Sequence, residues 1–305
     1  MPTLRQIEYL VAIADTQHFR KAAEKVGVSQ PTLSAQLSAL EQTLGVQLVE
    51  RSRSSVLVTP VGELILTIGR RMLRDAQEVN HIARSSRGEF GGLIRLGLPP
   101  TIGPYLLPKV LPQLHRAYPD MKIYVREQPP SALPSALGEG MLDVALAPLP
   151  IPGADFESVP MFREPLFLCA PDDHPLASKG YVERSDLSGQ AVLALEPGHQ
   201  LHEQVAALCE EFGAKMMFDY EGTSLETLRQ MTALGMGVSF LPGLFVSTTI
   251  APGGGVTPLE LRGRSLNRTI GMVWRRTSAR RREYQVLLEY VALAIENDFP
   301  SFTRL

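Results

Sequence analysis

Residues 18–34 read His18-Phe19-Arg20-Lys21-Ala22-Ala23-Glu24-Lys25-Val26-Gly27-Val28-Ser29-Gln30-Pro31-Thr32-Leu33-Ser34, a spacing that predicts two helices joined by a tight turn. Ala22 and Ala23 lack the bulk that keeps a crossing helix at a distance, and Gly27 lets the backbone reverse. Ser29 then opens a second helix with Pro31 in its first turn. Because Pro31 has no N–H, the Ser29 hydroxyl is expected to accept from the Thr32 amide. In that helix Leu33, Leu37, Leu40 and Leu44 share one face, which must be buried. The opposite side presents Pro31, Ala35 and Ser38, flanked by Thr32 and Ser34. A slim, uncharged edge of this kind suits entry into the major groove of a duplex, with Ser29, Gln30, Pro31, Thr32, Ser34 and Ser38 as the contact surface. Taken alone, the stretch also reads as an ordinary capped helical hairpin.

The next segment sharpens the choice. Leu48-Val49-Glu50-Arg51-Ser52-Arg53-Ser54-Ser55-Val56-Leu57-Val58 is two short apolar runs around a polar tip, the pattern of a β wing. Arg51 and Arg53 fall where a wing meets backbone phosphates, and Arg20 adds a cation from the helix pair. Yet residues 1–60 carry six basic against five acidic side chains, so a single module neutralises few phosphates and binds weakly. Two modules held together would reach successive half-sites. Thr59 and Pro60 cap and start a helix predicted to run to about Ser85, along which Ile65, Ile68, Met72, Ala76, Val79 and Ile82 recur in steps of three or four. That stripe packs either on its own domain or on a second copy, and Asp75 breaks a strict heptad.

The Gly- and Ser-rich run over 85–92 reads as a hinge. Beyond it, strands over 93–98, 122–127 and 144–147 alternate with a helix over 106–118 and a shorter one. A second series sets strands over 166–170, 191–195, 216–220 and 238–241 against helices over 201–212 and 224–234, the latter opened by a Thr223/Glu226 capping box. A strand over 269–274 and a helix over 281–295 close the chain. The alternation predicts an α/β domain with a largely parallel sheet, in two lobes with a ligand cleft between them.

Composition bounds the function classes. With 305 residues, 44% apolar and 20% charged, the chain reads as about two globular domains, and a formal charge of −2 excludes a uniformly basic polymer binder. Cys169 and Cys209 supply neither a disulfide framework nor a metal spacing, which fits a reducing compartment. The start has no signal-peptide pattern and no apolar run approaches ~18 residues, so a cytoplasmic protein without membrane contact is expected.

Ala22-Ala23, Val28-Ser29-Gln30-Pro31-Thr32-Leu33-Ser34, Leu40-Glu41, Leu44-Gly45-Val46 and Glu50-Arg51 resemble the winged helix-turn-helix signature of LysR-type transcriptional regulators, and the likeness extends along the whole chain. The resemblance implies a linker helix for dimerisation, a two-lobed effector domain like a periplasmic binding protein, a homodimer or homotetramer on promoter DNA, and contact with RNA polymerase. It implies no cofactor. Ala35 stands where the family often has a basic residue.

Thr101-Ile102-Gly103-Pro104-Tyr105-Leu106-Leu107-Pro108, Glu196-Pro197-Gly198-His199-Gln200-Leu201, Thr223-Ser224-Leu225-Glu226-Thr227-Leu228-Arg229 and Arg268-Thr269-Ile270-Gly271 resemble the OxyR-like subgroup of peroxide sensors. In those sensors a peroxide-reactive cysteine follows the Gly-His pair. Here Gln200 holds the position, and a carboxamide forms no thiolate, sulfenic acid or disulfide. Cys209 matches the resolving position without its partner, and a peroxide-binding threonine is replaced near Pro129-Pro130.

What remains suits a small polar effector such as a carboxylate. Thr101 and Gly103 stand at one helix start, whose amides and dipole favour an anion, and His199 and Gln200 at another; Thr223 lies nearby in the pattern, and Arg268 can fork to a carboxylate. The alternative is that Arg268 pairs with a local acid and Thr101 is only a cap. Cys209 and Cys169 sit in apolar runs and read as buried thiols, a non-standard redox use being the second reading.

Three weaker signals are set aside. His199, His202 and Glu203 offer too few ligands for a metal, Arg275-Arg276 and Arg280-Arg281-Arg282 read as solvated surface, and Gly235-Met236-Gly237 lacks the third glycine of a dinucleotide loop. An enzyme is the rival class, but no nucleophile elbow, phosphate loop or His-Glu-x-x-His segment is present. A transport binding protein would be expected to carry an export signal. The expected organisation is therefore an all-α winged helix-turn-helix domain over 1–60, a linker helix and hinge over 61–90, and an α/β effector domain over 91–305. Its lobe I covers about 91–162 plus 268–305 and its lobe II about 163–267.

Overall fold

The computed structural model describes residues 1–51, 56–85, 92–263 and 266–305. The chain divides into two compact units, Met1–Glu89 with Glu139–Met141, and Phe90–Gly138 with Leu142–Leu305. Arg53 with the rest of the wing tip, and most of the expected hinge, fall outside the described residues, as does the side chain of Arg51.

The first unit holds α1 (Leu4–Thr16), α2 (Phe19–Val26), α3 (Gln30–Leu44), the antiparallel pair β1 (Val49–Arg51) and β2 (Val56–Val58), and α4 (Pro60–Ser85). Its core is Leu10, Ile13, Leu33, Leu37, Leu40 and Leu48, with Ala22 and Ala23 buried where α2 crosses its neighbours. Gly27, at φ 68°, ends α2 in the left-handed region, where a side chain would be strained. Glu41 accepts from the amides of Leu48 and Val49 and so ties α3 to the first strand. Thr59 caps α4 through the Gly62 amide.

The stripe on α4 divides in two. Leu66 is buried and Ile65 and Leu73 pack on the core, while a Cβ on Gly69 would stand 2.8 Å from Ile7 Cγ2. Leu64, Ile68, Met72 and Val79 instead lie exposed, at 69, 50, 39 and 66%. The expected single row mixed the two faces: Ile65 belongs to the inner one, and Leu64 joins the outer one. The side chain of Ile82 is not described.

The second unit contains β3 (Gly92–Leu98), α5 (Gly103–Ala117), β4 (Met121–Glu127), α6 (Leu133–Gly138), β5 (Val144–Pro148), β6 (Phe156–Pro171), β7 (Tyr181–Val182) and β8 (Ala191–Leu195). It continues through α7 (Gln200–Phe212), β9 (Lys215–Gly222), α8 (Leu225–Ala233), β10 (Val238–Pro242), α9 (Gly243–Thr249), β11 (Val256–Leu261), β12 (Asn267–Arg275), α10 (Arg281–Asp298) and β13 (Thr303–Arg304). The main path of the sheet is β4-β3-β5-β12-β6-β10-β8-β9. β6 is the strand on which this unit turns. Its first part pairs with β12 and its last part with β10 and β11, so it passes from one apolar core, around Leu96, Val110, Met272 and Tyr284, into another, around Cys169, Leu193, Val205 and Phe240.

The expectation of a largely parallel sheet needs correction. Pairs β3–β4, β3–β5, β8–β9 and β8–β10 are parallel, but β12 with β5 and β6, and β6 with β10 and β11, are antiparallel. Only the apolar end of β6 was readable as a strand, because Pro160, Arg163, Glu164 and Pro165 interrupt the rest.

The arginine-rich stretch is also not a solvated surface throughout. Arg275 is buried and donates to Leu142 O at 2.6 Å. Arg280 lies 3.8 Å from Asp143 and 3.7 Å from Glu283. Among the described residues no helix is long and apolar enough to cross a membrane.

Candidate functional site

Two polar constellations carry the expected site residues. The first is the front of α3. Ser29 Oγ accepts from the Thr32 amide at 3.3 Å, and the two hydroxyls lie 2.7 Å apart, so the cap forms as the missing Pro31 N–H requires. Gln30, Pro31, Thr32 and Ala35 are exposed, and Ser34 and Ser38 half-buried, above a fully buried leucine face. Arg20 is exposed but shares its charge with Glu24 at 3.1 Å. The outward face of α3 is therefore polar, uncharged along its leading turns and held at a fixed angle by the core beneath it.

The second constellation lies where β6 leaves one core for the other. Arg268 and Glu164 are cross-strand partners on β12 and β6, with Arg268 Nε donating to Glu164 Oε2 at 2.6 Å. Glu164 is 0% and Arg268 8% exposed. Arg268 also donates to Thr101 Oγ1 at 3.1 Å and to Thr101 O at 3.2 Å, and Glu164 Oε1 accepts from the Leu244 amide of α9 at 2.9 Å. A directly opposed pair of this kind needs no long side-chain excursion, and burial strengthens each bond.

This geometry corrects the expectation for Arg268. Its charge is matched inside the chain by Glu164, so it is not poised to fork to an incoming carboxylate. Nor does Thr101 cap α5: the N-cap position is Ile102, without a side-chain cap, and the Thr101 hydroxyl turns to Arg268 instead. At Gly103 a Cβ would stand 2.7 Å from Glu127 Oε1, which puts a carboxylate beside the first turn of α5.

His199 is buried at the N-cap of α7, with Nε2 3.9 Å from Glu196 Oε1. Gln200 follows it, half-buried, and one turn later Gln204 donates to Asn267 O, beside Arg268. The α8 capping assignment shifts by one residue. Ser224 is the cap, accepting from the Thr227 amide; Thr223 is exposed outside the helix, and Glu226 pairs with Arg229. Glu164 was missed because a lone acid between Arg163 and Pro165 carries no spacing signal; its role exists only through the β6–β12 register.

Both thiols are buried. Burial pushes Cys209 up to about 11 and Cys169 further, so neither is a ready thiolate near neutral pH. Among the described residues no His, Cys, Asp and Glu group is placed to hold a metal.

Comparison with known proteins follows the same division. Residues 4–63 match the bacterial regulatory helix-turn-helix protein, lysR family, and residues 87–294 the LysR substrate binding domain. The DNA-binding transcriptional dual regulator OxyR of Escherichia coli K12 is 39% identical over 296 residues, 97% of each chain. The hydrogen peroxide-inducible genes activator of Dickeya chrysanthemi is 41% identical over 288 residues, 94% of each. Among solved structures, a full-length cysteine-to-aspartate variant of Pseudomonas aeruginosa OxyR superposes with a TM-score of 0.80 at 36% identity, covering 96% of this chain and 95% of that one. A hydrogen peroxide-bound cysteine-to-serine variant of Corynebacterium glutamicum OxyR gives 0.67 at 32% identity, covering 98% and 94%.

Proposed function

Because the chain belongs to the LysR family of bacterial helix-turn-helix transcriptional regulators, we propose that it reads promoter DNA as a homodimer or homotetramer and is controlled by a small effector held between the two lobes of residues 91–305. The family is one of regulators, and the enzyme alternative falls with that membership. The observation that carries the reading is the exposed, uncharged leading edge of α3, locked by the Ser29 cap over buried Leu33, Leu37 and Leu40. Such an edge approaches base pairs without the phosphate-seeking charge that makes binding indiscriminate. The row Leu64, Ile68, Met72 and Val79 gives a second copy a surface to pair on, and duplication supplies the two half-sites that one weakly charged head requires. Contact of the DNA-bound form with RNA polymerase follows the family pattern.

Footprinting across a randomised promoter library tests the assignment. Thr32→Val should change the preferred sequence, and Arg53→Ala should weaken binding to all sequences alike. Unchanged sequence profiles for Thr32 and Gln30 variants, or a chain that sediments as a monomer at micromolar concentration, would overturn it.

A second reading, a peroxide response, is favoured by the relatives' names and by the peroxide-bound relative. Gln200 and the buried thiols set its terms: any such response must run without the usual dithiol pair. A footprint that shifts with peroxide in the unmodified chain but not in Cys209→Ser or Cys169→Ser would establish a thiol route; indifference to peroxide removes this reading.

A further inference from the structure

We propose that Glu164 is a specificity-determining residue of the inter-lobe site: it is the built-in counter-ion of Arg268, and it reserves the site for an uncharged hydrogen-bonding effector. The inference rests on the reading that an effector binds between the lobes. An anion seeking Arg268 would have to displace a carboxylate that is wholly buried and bonded through both oxygens, leaving that charge unpaired in the interior. The contacts of an incoming anion must offset that penalty before any affinity appears.

The surroundings add to it. Glu127 stands at the first turn of α5, Glu203 lies in the first turn of α7, and Glu196 lies beside His199. Tyr105, half-buried on α5, lies within the fields of both Glu127 and Glu226. On the cationic side, Arg229 is taken up by Glu226, as Arg268 is by Glu164.

The neutral polar groups on the neighbouring elements are not all satisfied. Gln200 Oε1 and Gln128 Nε2 are buried atoms with no hydrogen-bond partner among the described residues. Buried amide atoms are rarely left so. Gln200 begins the helix that Gln204 ties to Asn267, and the backbone N–H of Gln128 donates to Leu98 O, three residues before Thr101. One is an acceptor lacking a donor and the other a donor lacking an acceptor. A neutral molecule with a donor and an acceptor can satisfy groups of this kind without disturbing the Glu164–Arg268 pair; a carboxylate offers no donor.

The isosteric pair acetate and acetamide separates the cases on the full chain. Acetamide at about 50 mM is expected to raise the melting temperature of the unmodified protein by about 3 °C, and sodium acetate to do no more than equal sodium chloride. In Glu164→Gln the order should reverse, acetate stabilising by a similar amount. The double change Glu164→Gln with Arg268→Gln should lose the acetate response. An unmodified chain that answers to acetate, or to neither probe, overturns the assignment, as does an E164Q protein indifferent to acetate. Should E164Q fail to fold, the unmodified chain alone decides. DNA footprints taken alongside separate this inference from the wider reading: the melting pattern above with footprints that never change retains the role of Glu164 but removes control of DNA binding from the site.

Discussion

At the front of α3, Gln30, Pro31, Thr32 and Ala35 are turned to solvent over buried leucines, while at the crossover of β6 the polar atoms of Glu164, Arg268 and Thr101 meet one another inside the chain. Both regions are polar and both are rigidly held, yet their hydrogen bonds end in opposite places. The helix keeps its outward groups available because its own requirement, the amide left by Pro31, is met locally by Ser29. The crossover satisfies its groups internally, so Arg268 is left with no unmatched charge to offer. A buried arginine is therefore no more a ligand site than its nearest acid allows.

Breaking the internal pair is expected to give the largest effect. Glu164→Leu alone strands the Arg268 charge and should cost about 3–5 kcal/mol of stability, whereas Glu164→Leu combined with Arg268→Met should come within about 1 kcal/mol of the unmodified chain. Urea denaturation of the full chain measures both. A single variant as stable as the double would mean that the pair is not balanced inside the protein, and the contrast with α3 would dissolve.

At α3 the largest effect is on discrimination, not folding. Gln30→Ala or Thr32→Val should leave stability within about 0.5 kcal/mol and reduce discrimination between bases by about 1–3 kcal/mol at a contacted position, with the salt dependence of binding unchanged. A variant that instead loses affinity evenly across sequences would move the residue from base reading to phosphate contact. Ser29→Ala comes next. Loss of the cap should destabilise by about 1 kcal/mol, and Ser29→Gly by only a few tenths. Equal effects in urea denaturation would show that the hydroxyl does not carry the cap.

How much of this was legible in the sequence follows the same contrast. The helix pair, its cap, Gly27 and the leucine face are local, set by residues within a few turns of one another, and the spacing displayed them directly. The wing strands and the start of α4 were equally readable. The outer row on α4 was not separable from the inner one, because a periodicity of three and four describes two adjacent faces equally well until Ile7 is known to lie against Gly69. In the second unit the helices and parallel strands were visible, but β6 was seen only at its apolar end, and with it went the antiparallel centre of the sheet. Glu164 and Arg268 lie 104 residues apart, so their pairing depends on strand register, which no local pattern states. Arg268 alone therefore read as a recruit for a ligand.

A small, screened effect is expected at Asp15, where the first unit carries its own ion-pair network at the surface. Asp15 receives Lys25 at 2.8 Å and Arg70 at 2.5 Å, joining α1 to α2 and α4, yet its side chain remains 30% exposed. Burial acts to raise its carboxyl, but the hydrogen bonds from Lys25 and Arg70 outweigh that and hold it below the ordinary value of 3.8. The folded state thus favours the carboxylate. Its contribution is present above the unfolded value and is lost as pH falls through the lower folded value, because the unfolded chain takes up the proton first. Solvent screening limits the amount to at most about 1 kcal/mol. Asp15→Asn should therefore destabilise the chain by that small amount at pH 7, with the difference shrinking as the solution is acidified below the ordinary carboxylate range. In raised salt the difference should shrink as well, whereas that between Glu164→Leu and its double variant should not, since a pair without solvent exposure is screened little. A loss at Asp15 as large and salt-independent as that at Glu164 would mean that the depth of burial is not what separates the two networks.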